Sequence, residues 1–245
     1  MGSLGVMRLE EAISHVQMVM HSSPPLFNWL DVGCGIGSVL VKAKADGFTV
    51  LGIEPDPTAK RIAIEATGAP ILDKFNDNTI TNNSQGVISM LDFLEHVAPS
   101  DLEATANLVR RKLVNDGLWL IKVPSTDGLF YMAANAAAAL IPSLVADIIN
   151  RLWMANYEFP HRVYFNERNL RTFLKRHGFG IAAVRYTAAM PTGTILKRLR
   201  MNKTLSPAKA MLVAPIAFVM NLVETARKRS DSLVVLARKN DSPTG

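Results

Sequence analysis

The chain has 245 residues, 49% of them hydrophobic and 20% charged, with a formal net charge of +6. This is a globular composition with enough apolar material for one sizeable core, and the single cysteine, Cys34, excludes a disulfide framework and a cysteine-based zinc site. The positive charge is concentrated between residues 194 and 229, where Lys197, Arg198, Arg200, Lys203, Lys209, Arg227, Lys228 and Arg229 stand against one acid, Glu224, so the overall charge says little about function.

In chain order, the N-terminus lacks the charged start and apolar core of a signal peptide, and Val6 stands where a myristoylation signal needs Ser or Thr. Leu9 to Met20 is patterned as an amphipathic helix and Phe27 to Val32 as a short strand. After L-D-V-G-C-G-I-G-S-V-L (Leu30 to Leu40), a helix is expected over Val39 to Ala45 and a strand over Thr49 to Glu54. Asp56-Pro57 reads as an N-cap with proline at the first helical position. Gly86 to Leu91 is an apolar strand. Ser100 to Glu103 has the form of a capping box opening a helix toward Gly117, and Leu118 to Val123 is the next strand. Asn166 caps a helix ending at Gly178. Ile181 to Tyr186 and Ser232 to Ala237 are the last strands. Strand–helix alternation predicts a parallel sheet covered by helices. Apolar runs within 130–160 and 190–230 fall short of the ~18–20 residues of a spanning helix and carry prolines. They read as helical insertions into a single domain over 1–245, the second one basic as well as apolar.

The glycine loop decides the ligand class. It follows a strand, opens a helix, and has an acid, Glu54, roughly twenty residues on, where a carboxylate accepts hydrogen bonds from ribose hydroxyls. The dinucleotide fingerprint is G-x-G-x-x-G, whereas this loop is G-x-G-x-G with Asp31 ahead of it. A carboxylate repels a pyrophosphate and favours the ammonium of a methionine moiety, which points to S-adenosylmethionine (SAM).

With G-I-E-P-D-P, I-S-M-L-D-F-L-E-H-V, L-W-L-I-K-V-P-S and P-H-R-V-Y-F-N-E-R-N-L-R-T-F-L-K-R-H-G-F following in order, the chain resembles the class I SAM-dependent methyltransferases, in appearance the subgroup that includes ubiquinone-biosynthesis O-methyltransferases. The resemblance spans roughly Leu26 to Tyr186. It implies a Rossmann-like α/β fold with a seven-stranded, mostly parallel sheet and a reversed last strand. It also implies that Asp31, Gly33, Cys34, Gly35 and Gly37 line the methionine part of the cofactor. Glu54 would hold the ribose with Pro55 beside the adenine, Asn76 or Asp77 would approach the adenine amine, and Met90 and Leu91 would border the methionine end. Gly86 stands where the family usually has an aspartate.

Methyl transfer to a hydroxyl needs alignment and a base. Of five histidines, His96 and His161 lie where the resemblance puts substrate-side residues and are the candidate catalytic pair. His15 and His21 precede the first strand, where a cofactor contact and a packing or surface role both stand open. His177 suits a helix C-terminus. Glu95 reads as fixing geometry, or as a metal ligand in family members that use one, and no second acid cluster stands at metal spacing, so no required metal is expected.

The resulting expectation is a cytoplasmic SAM-dependent methyltransferase acting on a small or lipid-linked acceptor. A non-catalytic SAM-binding module and an NAD-dependent oxidoreductase are the alternatives. Nucleic acid is not expected as a partner: the N/D-P-P-aromatic motif is missing after the fourth strand, and 194–229 carries one aromatic, Phe218. Basic residues flanking apolar helices in 194–229 suit peripheral contact with the inner face of an anionic membrane; a packed cap or dimer contact with solvated basic ends reads the same way.

Overall fold

The computed structural model describes residues 3–21, 28–76, 78, 80–129, 131–132, 135–136, 159–187 and 230–240. Asp77 and nearly all of the two predicted insertions lie outside the described residues. The elements are α1 (Ser3–Met20), β1 (Asn28–Val32), α2 (Ser38–Ala45), β2 (Thr49–Ile53), α3 (Pro57–Thr67), β3 (Ile71–Leu72), β4 (Gln85–Leu91), α4 (Leu102–Lys112), β5 (Leu113–Pro124), α5 (Glu167–Arg176), β6 (Phe179–Thr187) and β7 (Ser232–Lys239). Two 3-10 turns, Leu94–His96 and Pro99–Asp101, join β4 to α4.

The strands form one seven-stranded sheet in the order β3-β2-β1-β4-β5-β7-β6. β1 to β5 run parallel, and β7 runs antiparallel to both β5 and β6. This is the predicted seven-stranded, mostly parallel sheet with a reversed last strand. β1 pairs with β2 on one side and β4 on the other, so the chain leaves the two halves of the sheet in opposite directions and a crevice opens at the C-terminal end of β1.

Side chains alternate along each strand and therefore sort between two cores. On one face, Trp29, Val87, Leu118 and Leu120 pack with Val16, Leu40 and Ala43 from α1 and α2. On the other, Leu30, Ile88, Met90, Trp119 and Ile121 pack with Val109 and Leu170 from α4 and α5. The same alternation carries Asp31, Leu91 and Lys122, at the strand ends, onto the α1 face.

Two caps form as the sequence predicts. The Asp56 carboxylate accepts from the Ala59 backbone N–H at 2.6 Å, and Asn166 and Asn169 exchange reciprocal bonds of 2.8 Å at the start of α5. The Ser100–Glu103 capping box does not form. Residues 99–101 wind instead into a 3-10 turn, and the Ser100 hydroxyl donates to Asp101 at 3.0 Å. α4 also stops at Lys112, short of Gly117, because Leu113 already pairs with Gln85. The ladder then passes from Leu113 to Leu118, through Asp116 at φ 58°.

Candidate functional site

The loop after β1 is pinned to the end of β2: the backbone N–H groups of Gly33 and Cys34 both donate to the Ile53 carbonyl at 2.9 Å. Gly33 and Gly37 adopt φ of 75° and 81°, a region that L side chains rarely enter. A Cβ at Gly33 would also stand 2.8 Å from the Phe93 ring, and one at Gly37 3.2 Å from Ala63. The loop thus keeps bare backbone toward the crevice and packs the start of α2 onto α3.

Glu54 follows β2 and closes this loop. Its carboxylate accepts from the Gly35 backbone N–H at 2.8 Å and from the Asp56 N–H at 2.9 Å. Asp31, only 3% exposed, accepts from the Ser89 hydroxyl at 2.6 Å, and Ser89 accepts from the Trp29 indole N–H at 2.8 Å. Burial pushes the Asp31 carboxyl up to about 7, with the Ser89 hydroxyl opposing the shift and the charge of Glu54 adding to it. A buried acid of this kind becomes a strong acceptor once a cation sits beside it. Burial, reinforced by Asp31 and Glu54, pushes the Cys34 thiol up to about 12, which disfavours the thiolate form.

Two cavities meet at Gly33. The smaller, about 240 Å³, is lined by Asp31, Gly33, Cys34, Gly35 and Leu91, with Glu11 and His15 from α1 and Lys122 from β5. The larger, about 840 Å³, is lined by Pro55 and Asn76 at one end, by Phe93, His96 and Val97 behind β4, and by Leu108, Phe159 and Arg162. Of the sequence-predicted residues that are described, Gly37, Glu54, Met90 and His161 line neither. Gly37 stands behind the loop, and Met90 points into the opposite core because it is one pleat out of step with Asp31 and Leu91.

The two candidate histidines come together although 65 positions separate them. The Arg162 and Val163 backbone N–H groups donate to the Glu95 carbonyl at 2.7 and 3.2 Å, and the His96 and His161 rings stand 5.0 Å apart between centroids. His96 Nδ1 lies 3.1 Å from the Pro160 carbonyl. A carbonyl only accepts, so Nδ1 carries the proton in that bond and Nε2 keeps the basic lone pair. His161 Nδ1 lies 3.1 Å from the Tyr164 hydroxyl. Glu95 is buried, its Oε2 has no hydrogen-bond partner, and burial, reinforced by Asp92, pushes its carboxyl up to about 8. Ligand atoms of Glu95, His96 and His161 lie within 4.8 Å of one another, so the fold assembles a carboxylate and two imidazoles able to hold a divalent cation. Sequence spacing could not reveal that set, because its third member comes from a distant segment.

His15, for which a cofactor contact stood open, lines the smaller cavity, whereas Glu11, Ser89 and Lys122 are residues of this site that the sequence motifs do not include. For Ser89 and Lys122 the signal was present: a polar and a charged residue interrupt the apolar strands G-V-I-S-M-L and L-W-L-I-K-V. His21 and His177 lie outside both cavities, each with Nδ1 against the backbone carbonyl four residues earlier.

Solved structures share this fold at low identity. A SAM-dependent methyltransferase from Archaeoglobus fulgidus aligns with a TM-score of 0.60 and 14% identity, over 94% of each chain. Magnesium protoporphyrin IX methyltransferase from Synechocystis PCC 6803, with bound SAH, aligns with a TM-score of 0.61 and 14% identity, over 96% of this chain and 84% of that one. Phosphoethanolamine N-methyltransferase 2 of Haemonchus contortus, in complex with S-adenosyl-L-methionine, aligns with a TM-score of 0.55 and 16% identity, over 93% of this chain and 52% of that one. No curated protein matches the sequence. The family model described as a methyltransferase domain matches residues 8–184, well over half of the chain, and the protein therefore belongs to the methyltransferase-domain family.

Proposed function

We propose that the protein transfers a methyl group from SAM to a hydroxyl of a small or lipid-linked acceptor, with His96 taking the proton. The observation that carries this reading is the pair of cavities that share Gly33 in their linings, one reaching buried Asp31 and the other lined by His96, whose Nδ1 faces the Pro160 carbonyl. The bound cofactor would supply an electrophilic sulfonium methyl. The chain's own groups do the rest. Asp31 faces the cationic end of the ligand, Glu54 accepts from the ribose, and Pro55 and Asn76 flank the adenine. His96 Nε2 would take the proton that the acceptor hydroxyl gives up when its oxygen receives the methyl group. His161 supports the His96 ring from behind. The apolar lining from Val97, Leu108 and Phe159 favours an acceptor with an apolar body.

Calorimetric titration with S-adenosylhomocysteine (SAH) tests the cofactor assignment, with binding in the micromolar range expected. NADH binding in place of SAH binding overturns it. Mass spectrometry of ligands that co-purify with the protein is the route to the acceptor.

The unpartnered Glu95 Oε2 supports a second reading of the same trio. Glu95, His96 and His161 would hold a divalent cation, which would act as a Lewis acid on the acceptor hydroxyl. Loss of turnover on chelation, restored by added metal, selects this reading over the free base.

Peripheral membrane contact through 194–229 is part of the proposal. It is supported by the basic residues that flank apolar stretches there, and it suits a lipid-linked acceptor. No helix of the described residues is long and apolar enough to cross a membrane.

A further inference from the structure

α1 lines the smaller cavity with a face that lies outside the glycine loop and the strand-end motifs. Glu11, Ala12 and His15 line it from above, opposite Asp31, Asp92 and Lys122 at the strand ends. His15 is only 2% exposed, and neither of its ring nitrogens has a hydrogen-bond partner. Glu11 Oε1 lies 3.9 Å from Nε2, too far for a hydrogen bond. Buried polar atoms are rarely left in this condition unless something else satisfies them. The helix is also held firmly in place. Val16 and Val19 are buried in the core shared with α2, and Arg185 on β6 donates to the backbone carbonyl of Ser14 at 3.2 Å. His15 is therefore fixed over the cavity.

The charges around it define the ligand. Lys122 Nζ stands 2.5 Å from Glu11 and 2.8 Å from Asp92, so two acids hold one ammonium at the cavity wall. Asp31 supplies a third carboxylate to the same cavity. Acceptors for an ammonium and donors for a carboxylate thus share about 240 Å³, which is the requirement of a zwitterionic α-amino acid group.

We propose that His15 donates a hydrogen bond to the carboxylate of the cofactor's amino-acid end, beside Lys122, and so makes α1 a recognition element for ligands that carry that group. This rests on the SAM assignment above. His15 acts as a positioning residue, far along the ligand from the methyl that moves.

The test compares two ligands with the same adenosine and sulfur. SAH carries the amino-acid end, and 5′-methylthioadenosine lacks it. In His15→Leu, which fills the same volume without a donor, SAH should bind at least about tenfold more weakly, as expected for loss of a hydrogen bond to a charged group. The affinity for 5′-methylthioadenosine should stay within about twofold. His15→Gln, which restores a donor, should recover part of the SAH affinity, and it carries the test if the leucine variant folds poorly. Unchanged SAH affinity in His15→Leu, or an equal loss for both ligands, overturns the proposal while the SAM assignment stands. A wild-type protein that binds neither ligand overturns that assignment, and this inference with it.

Discussion

Glu54 holds the glycine loop with the same carboxylate that is proposed to accept from the ribose. Its bonds to the Gly35 and Asp56 backbone are charge-assisted, and each contributes roughly 1.5–3 kcal/mol. Glu54→Ala is therefore expected to weaken SAH binding at least about tenfold and also to lower the apo melting temperature by several degrees, at about 2–4 °C per kcal/mol for a chain of this size. A melting temperature that does not move shows that the loop is held by other contacts. Asp31 links the site to pH. Burial raises its carboxyl to about 7, well above its value in the unfolded chain. The folded protein therefore keeps a proton that the unfolded chain releases, and this group's contribution to stability falls as pH rises from about 4 to about 7. A cationic ligand favours the ionised form, so cofactor binding near pH 6.5 should release up to about one proton. Calorimetry in two buffers of different ionisation enthalpy measures that release, and Asp31→Asn should abolish it.

At the level of elements, the candidate base depends on two segments meeting. The 3-10 turn Leu94–His96 carries one histidine, and the strap from 159 to 165 carries the other, bonded back to Glu95. Once an acceptor is identified, His96→Ala should lower turnover about 10²-fold or more with little change in SAH affinity. Normal turnover would remove the base from the mechanism. The α4–α5 side of the sheet rests on Trp119, fully buried with its ring 5.2 Å from that of Phe179. Trp119→Ala should cost about 3–5 kcal/mol in denaturant unfolding. Trp119→Phe should cost less than half as much, because the indole N–H it removes has no partner in the core.

At the scale of the whole molecule, both cavities are lined by residues at the ends of β1 and β4, where the strand order reverses. α1 covers one side of that crevice, and the segment after β4 covers the other. The family match ends at residue 184, so the basic stretch 194–229 falls outside it. The proposed membrane contact predicts sedimentation with anionic but not neutral vesicles. Binding should weaken in about 0.5 M salt, where the Debye length is on the order of 4–5 Å. No binding to either vesicle leaves a packed cap and removes the main support for a lipid-linked acceptor.

The sequence by itself determined the parallel sheet, the glycine loop and the acid after β2. Each is a local pattern: alternating strands and helices, glycines where φ must be positive, and an acid at a fixed spacing. Cap formation was legible at Asp56 and Asn166. It failed at Ser100 because the 3-10 turn Pro99–Asp101, directly before α4, winds through the cap position. The side chain of Met90 lies in the core rather than at a cavity, a placement the motif did not show, since the face a strand residue takes depends on its register with its neighbours. What only the tertiary structure decided is the joining of distant segments: His15 and Glu11 over Lys122 and Asp31, and His161 against His96 and Glu95. No sequence period links those residues. Their meeting follows from packing α1 onto one face of the sheet, and from backbone bonds that tie residues 162 and 163 to Glu95.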